Sequence, residues 1–198
     1  PSGGKEINCL AVNSKNIFVG TKRGLYRSRD RGAAWKNVFR TVTPEKNDIL
    51  AAEVSKYEPE KVLVGTRRGV FISEDGGDRW KDISANLKNS LVKCVAMNKE
   101  SVYAGGDKGL YVRGAGSTGW ERLLVRSATA EKKEGEPVDA AETEEENYGS
   151  PVNCIAVKDG RIYAGFENNI LYSDDGGRSW SAFWQSLTRT RTGRYATR

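Results

Sequence analysis

Three cysteines, a scatter of carboxylates and a few clustered cations are the groups in this chain able to do chemistry, and their spacing narrows what that chemistry is. There is no histidine among the 198 residues, which removes the commonest general base and the Ser-His and Cys-His nucleophile pairs. Cys9, Cys94 and Cys154 form no Cys-x-x-Cys motif, so neither a metal site nor a cofactor is expected. Their matched places in three repeats read as small packed residues of an inner strand, not as disulfide partners or reactive thiols. Asp30, Asp75 and Asp175 each follow a serine by two positions and precede a tryptophan by five. Glycoside hydrolysis needs a pair of carboxyl groups facing each other across a sugar. A carboxylate in a Ser- and Gly-rich turn instead accepts backbone N–H bonds, so these three are expected to hold turns, and no residue is assigned a catalytic role. The cations Lys22, Arg23, Arg67, Arg68 and Lys108 are the candidate binding residues, suited to an anionic protein segment or another anionic surface.

These groups are carried on a repeat. Asn8-Cys9-Leu10-Ala11-Val12, Leu50-Ala51-Ala52-Glu53-Val54, Lys93-Cys94-Val95-Ala96-Met97 and Asn153-Cys154-Ile155-Ala156-Val157 align. Each leads to a second apolar run ending at Gly20, Gly65, Gly105 or Gly165. A third run follows, and then a turn that delivers Trp35, Trp80, Trp120 or Trp180 to a fourth strand. Four short strands per unit at a period of about 40 to 45 residues describe a propeller blade. The expected fold is all-β: a β-propeller of four-stranded antiparallel blades, with four blades at about 7–42, 48–87, 91–125 and 151–187. Either the ring closes with four blades, or these blades form part of a larger ring completed by another chain or by further sequence; exposed blade edges and faces would otherwise invite self-association.

The third-to-fourth-strand turns carry the most specific signal. They place Ser28, Asp30, Gly32 and Trp35 in the first unit, Ser73, Asp75, Gly77 and Trp80 in the second, and Ser173, Asp175, Gly177 and Trp180 in the fourth. The third unit has lost the pattern except for Trp120. These segments resemble the Asp boxes (BNR repeats) of sialidases, sortilin-type receptors, xyloglucan-cleaving hydrolases and the photosystem II assembly-factor propeller. The resemblance covers about residues 7–184. It implies that the boxes lie on the face opposite the binding site and that the chain is a non-catalytic scaffold working outside the cytoplasm on a protein partner. It leaves a glycoside hydrolase as the alternative, although no Arg-Ile-Pro segment of the sialidase type is present.

In a blade whose strands run up and down, the second-to-third-strand turns share a face with the inter-blade links. The five candidate cations all lie on those turns, so they are expected along one arc of that face. The stretch 126–150 is Glu-rich and reads as a disordered insertion. Its net negative charge leaves the rest of the chain more basic than the overall charge of +6. Rooted in an inter-blade link, it is placed to compete with an anionic ligand for the basic arc. The stretch 188–198 reads as a basic tail. Nothing resembles a nucleic-acid-binding motif, and no apolar run reaches the roughly 20 residues that span a bilayer. With neither an initiator Met nor a signal core after Pro1, the expectation is a soluble chain, mature or excised.

Overall fold

The computed structural model describes residues 6–125, 150–167 and 169–182. The expected acidic insertion, apart from Ser150, and the basic tail lie outside the described residues. Four antiparallel sheets form, each from strands in chain order. The first contains β1 (Ile7–Val12), β2 (Ile17–Thr21), β3 (Gly24–Ser28) and β4 (Lys36–Phe39). A single-turn helix, α1 (Pro44–Asn47), lies in the link to β5 (Ile49–Val54), β6 (Val62–Thr66), β7 (Gly69–Ser73) and β8 (Lys81–Asp82). The third sheet holds β9 (Val92–Met97), β10 (Ser101–Gly106), β11 (Gly109–Gly114) and β12 (Glu121–Leu123). The fourth holds β13 (Cys154–Lys158), β14 (Arg161–Gly165), β15 (Ile170–Ser173) and β16 (Ser181–Ala182).

β-Branched and aromatic residues supply the strands, and turn chemistry sets their ends. Two-residue turns join the second and third strands, with Thr21 opposite Gly24, Thr66 opposite Gly69 and Gly106 opposite Gly109. Gly24 has a φ of 119° and Gly69 one of 121°, a backbone that L side chains rarely adopt. Thr21 Oγ1 accepts the Arg23 N–H at 3.0 Å and donates to the Gly24 carbonyl at 2.9 Å, and Thr66 repeats the arrangement on Arg68 and Gly69.

The core consists of three apolar clusters, one between each pair of successive sheets. Phe18, Leu25 and Phe39 meet Ile49, Val64 and Phe71 between the first and second. Leu63 and Ile72 meet Val92, Val95, Ala104 and Trp120 between the second and third. Ala96, Tyr103 and Leu110 meet Val152, Ile162 and Trp180 between the third and fourth. No cluster joins the fourth sheet to the first, so among the described residues the array is open there.

Openness at the two ends changes the reading of two residues. Trp80 donates its indole N–H to the Val38 carbonyl of the preceding sheet at 2.9 Å, and Trp120 donates to the Ile83 carbonyl at 2.7 Å. Among the described residues Trp35 has no preceding sheet to pack on, and it is 44% exposed, against 5% for Trp120 and 4% for Trp180. The cysteines are all free, but only Cys94 is buried; Cys154 is exposed because none of the described residues packs a further sheet on that face.

Candidate binding face

Antiparallel strands alternate direction, so the β2–β3, β6–β7 and β10–β11 turns emerge at the end of the blades where the links cross to the next sheet. Hydrogen bonds tie the two sets of loops together. Leu91 N–H in the second link donates to Asp107 Oδ1 at 3.1 Å, and Asn8 Nδ2 donates to Asp48 Oδ1 at 2.9 Å. All five candidate cations sit on these turns, but their surroundings differ. Lys22 is ion-paired with Glu6. Arg67 Nε donates to Asp48 Oδ2 at 2.5 Å, and that carboxylate side chain is only 10% exposed. Arg68 Nε donates to Asn89 Oδ1 at 3.0 Å, and its guanidinium lies 4.0 Å from Glu45. Arg23 and Lys108 are exposed and have no ion-pair partner among the described residues.

The face is therefore less positive than the turn sequences alone imply. Glu6, Glu45 and Asp48 come from links and from the approach to β1, and each meets a cation of a turn. Where the link into the fourth sheet meets the residues that follow β14, Lys93, Pro151, Asn153, Phe166 and Glu167 line a recess of about 510 Å³ on the same face. Lys93 Nζ donates to Asn153 Oδ1 at 3.2 Å across it.

The Ser-x-Asp-x-Gly-x-x-Trp turns lie at the opposite end of the blades, beside the first-to-second-strand hairpins; Gly76 N–H donates to the Glu60 carbonyl at 2.7 Å. In the second unit Ser73 Oγ donates to Asp75 Oδ1 at 2.9 Å and accepts the Gly77 N–H at 2.8 Å. Asp75 Oδ1 also accepts the N–H groups of Asp78 at 3.0 Å and Arg79 at 2.8 Å. Ser28 and Asp30 repeat this network on Gly32 and Ala34, and Ser173 and Asp175 repeat it on Gly177, Arg178 and Ser179. Hydrogen bonds favour the charged form. The Ala34, Arg79 and Ser179 donors hold the Asp30, Asp75 and Asp175 carboxyls below the usual carboxylate range. Groups kept ionised in this way cannot serve as proton donors near neutrality.

In the third unit Arg113 replaces the missing Ser and Asp. Its Nε donates to the Ser117 carbonyl at 2.8 Å, and Nη1 reaches the Ile83 carbonyl of the second sheet at 3.0 Å. One guanidinium thus ties the turn to the neighbouring blade.

One carboxylate not singled out from the sequence stands apart. Glu53 on β5 occupies the place held by Ala11, Ala96 and Ala156 in the other inner strands, and burial against the third sheet pushes its carboxyl up to about 7, offset by the Met97 N–H and the Lys56 charge. The signal was present as one acidic residue in an otherwise Ala position of the repeat. Among the described residues no three Cys, Asp or Glu side chains converge as metal ligands would, and no helix is long and apolar enough to cross a membrane.

No protein-family model matches the chain, and no curated protein matches it. Solved structures match its fold. It superposes on an ancestral GH74 enzyme with a TM-score of 0.67 and 17% identity, over 90% of this chain and 24% of that one. With the extracellular domain of BT4673, a hybrid two-component system protein of B. thetaiotaomicron, the TM-score is 0.63 at 16% identity, over 91% of this chain and 22% of that one. With YCF48 bound to D1 peptide it is 0.57 at 11% identity, over 89% and 52%. The chain thus spans about a quarter of the length of the first two and about half of the third. Likeness at these identities shows fold: the chain is an all-β array of propeller blades.

Proposed function

We propose that this chain is an Asp-box propeller that acts as a non-catalytic scaffold outside the cytoplasm, holding an acidic protein segment on the face that bears the second-to-third-strand turns. The observation that carries this reading is the pair of exposed cations, Arg23 and Lys108, without an acidic partner among the described residues on a face where Lys22, Arg67 and Arg68 each have a polar or acidic neighbour. Unneutralised charge on a surface attracts counter-charge at long range, and Lys93, in the recess it shares with Phe166 and Glu167, adds a further cation on the same face. YCF48, captured with D1 peptide, is a protein of this fold that holds a peptide, which supports the reading.

The test is capture of a fluorescent poly-glutamate peptide by the Arg23→Glu/Lys108→Glu variant. Binding at low salt is expected to fall about tenfold, with the difference shrinking as ionic strength shortens the Debye length. Equal binding by variant and parent removes the proposal. Arg67 is unsuitable for this test, because a carboxylate placed there would face the half-enclosed Asp48.

The alternative, a glycoside hydrolase, draws on the fold shared with a GH74 enzyme, with Glu53, whose carboxyl burial pushes up to about 7, as the carboxylate to test. A raised carboxyl suits a general acid. Turnover of chromogenic glycosides that disappears in Glu53→Gln would favour that reading over the scaffold.

A further inference from the structure

The uncovered faces at the two ends of the array are the two halves of a contact that the chain makes three times within itself. In each internal joint, an apolar residue just ahead of or at the start of one blade's inner strand seats on the next-to-last residue, a glycine, of the second strand of the blade before it. Ile49 lies over Gly20, Val92 over Gly65 and Val152 over Gly105, so closely that a Cβ built on those glycines would stand 2.8, 2.6 and 2.8 Å from the neighbouring side chain. Ile49, Val92 and Val152 are 0%, 2% and 0% exposed. Ile7 is the corresponding residue of the first blade, paired with Thr21 as Ile49 is with Thr66. It is 66% exposed. Gly165 is the corresponding glycine of the fourth blade, and among the described residues the nearest atoms to a Cβ there all belong to its own sheet's Cys154.

The rest of both faces follows the same rule. Leu10 and Val12 are 62% and 58% exposed, whereas their equivalents Val95 and Met97 are 7% and 5% exposed against the second sheet. Cys154 and Ala156 are exposed, whereas Cys94 and Ala96 are buried against the fourth. Trp35 completes the first-blade face at 44% exposure. Among the described residues one apolar knob and one glycine socket remain over, on the two outermost sheets of the array.

We infer that the first-blade face of one copy of this chain packs on the fourth-blade face of a second copy, with Ile7 seated on Gly165. Such a contact is heterologous, and a heterologous contact either closes into a ring or propagates. Two copies joined head to tail at both ends bring together eight blades, within the range of roughly four to eight that propellers use. The occupant is a second copy because the complementary surface for each face is present on this chain and is already used between its own blades.

Sedimentation equilibrium of the chain is expected to show a dimer that Ile7→Asp and Ala156→Arg each convert to monomer. Both positions are exposed in the single chain, so far-ultraviolet circular dichroism should stay that of the parent, which separates lost association from lost folding. Each variant retains one intact face. Mixing them is expected to restore a one-contact dimer, which an isologous interface would not give. In addition, Ile7→Cys should form an intermolecular disulfide with Cys154 under mild oxidation, seen as a doubled mass on a non-reducing gel and abolished by Cys154→Ala. A parent chain that stays monomeric at about 100 μM, far above the micromolar range that corresponds to roughly 8 kcal/mol of binding, overturns the inference. So does a dimer that persists in Ile7→Asp. Poly-glutamate capture by the Ile7→Asp monomer reports on the binding face separately.

Discussion

Two carboxylates show how little a residue type says about its role. Asp75 lies in the open on a turn, yet three donors, the Ser73 hydroxyl and the Asp78 and Arg79 amides, fix it as a charged acceptor. Glu53 lies on an inner strand with few compensating donors, and burial favours its neutral form. The stability consequences have opposite sign. Asp75, with its carboxyl lowered from 3.8, contributes stability that is present above that value and lost as the solution is acidified. Glu53, raised from 4.5 to about 7, keeps a proton in the folded protein that the unfolded chain has already released. Its contribution is complete below 4.5 and disappears as pH rises through 7. Urea unfolding of Glu53→Gln is therefore expected to lose the part of the fall in stability between pH 4.5 and pH 7.5 that Glu53 causes, on the order of 3 kcal/mol. A variant with the parent's pH profile would show that Glu53 is solvated in solution.

At the scale of the element, each blade is held by turns whose backbone demands are strict. Gly24 combines a φ of 119° with a position where a Cβ would stand 2.2 Å from the Phe39 carbonyl oxygen. Gly24→Ala is thus expected to destabilise by more than about 1 kcal/mol, measured by thermal unfolding, and to loosen the edge strand β4 first in hydrogen exchange. The third blade shows that a turn can be held by other means. Arg113 reaches across to the Ile83 carbonyl, which also accepts the Trp120 indole, so two side-chain donors tie this turn to its neighbour where the other units hold the turn internally through their Ser and Asp side chains. The glycines of the hairpins and the Ser-x-Asp-x-Gly-x-x-Trp pattern were legible because both are local requirements, written within eight residues. Arg113 was legible as a departure from the pattern, but not as its replacement, since its partner lies 30 positions away.

At the scale of the molecule, burial depends on having a neighbour on each side. Trp120→Ala is expected to cost roughly 3–5 kcal/mol, as large core truncations do, because the ring is buried against the second sheet and bonded to it. Trp35→Ala is expected to cost the isolated chain less than about 1 kcal/mol and to act on association, readable as a shift in the dimer dissociation constant without a matching loss of folded monomer. The two side chains hold the same place in the repeat and differ in whether a described sheet packs against the ring. A large loss of monomer stability in Trp35→Ala would mean that the first blade's open face is covered within the chain.

What the sequence determined by itself is the repeat: four antiparallel blades, the turns between their strands and the end of the blade to which each turn belongs. These follow from alternation, glycine placement and side-chain-to-backbone bonding, all of which act over a few residues. The tertiary structure decided which charges remain available and which apolar faces remain open. Lys22 and Arg67 were visible as cations, but Glu6 and Asp48 meet them only once the strands have folded back to bring positions 16 and 19 residues apart together. Ile7 reads like any apolar residue at the start of a strand. Its exposure follows from the lack of any sheet packed on it among the described residues, because a surface is buried only by what packs on it, and that is a property of the assembled blades.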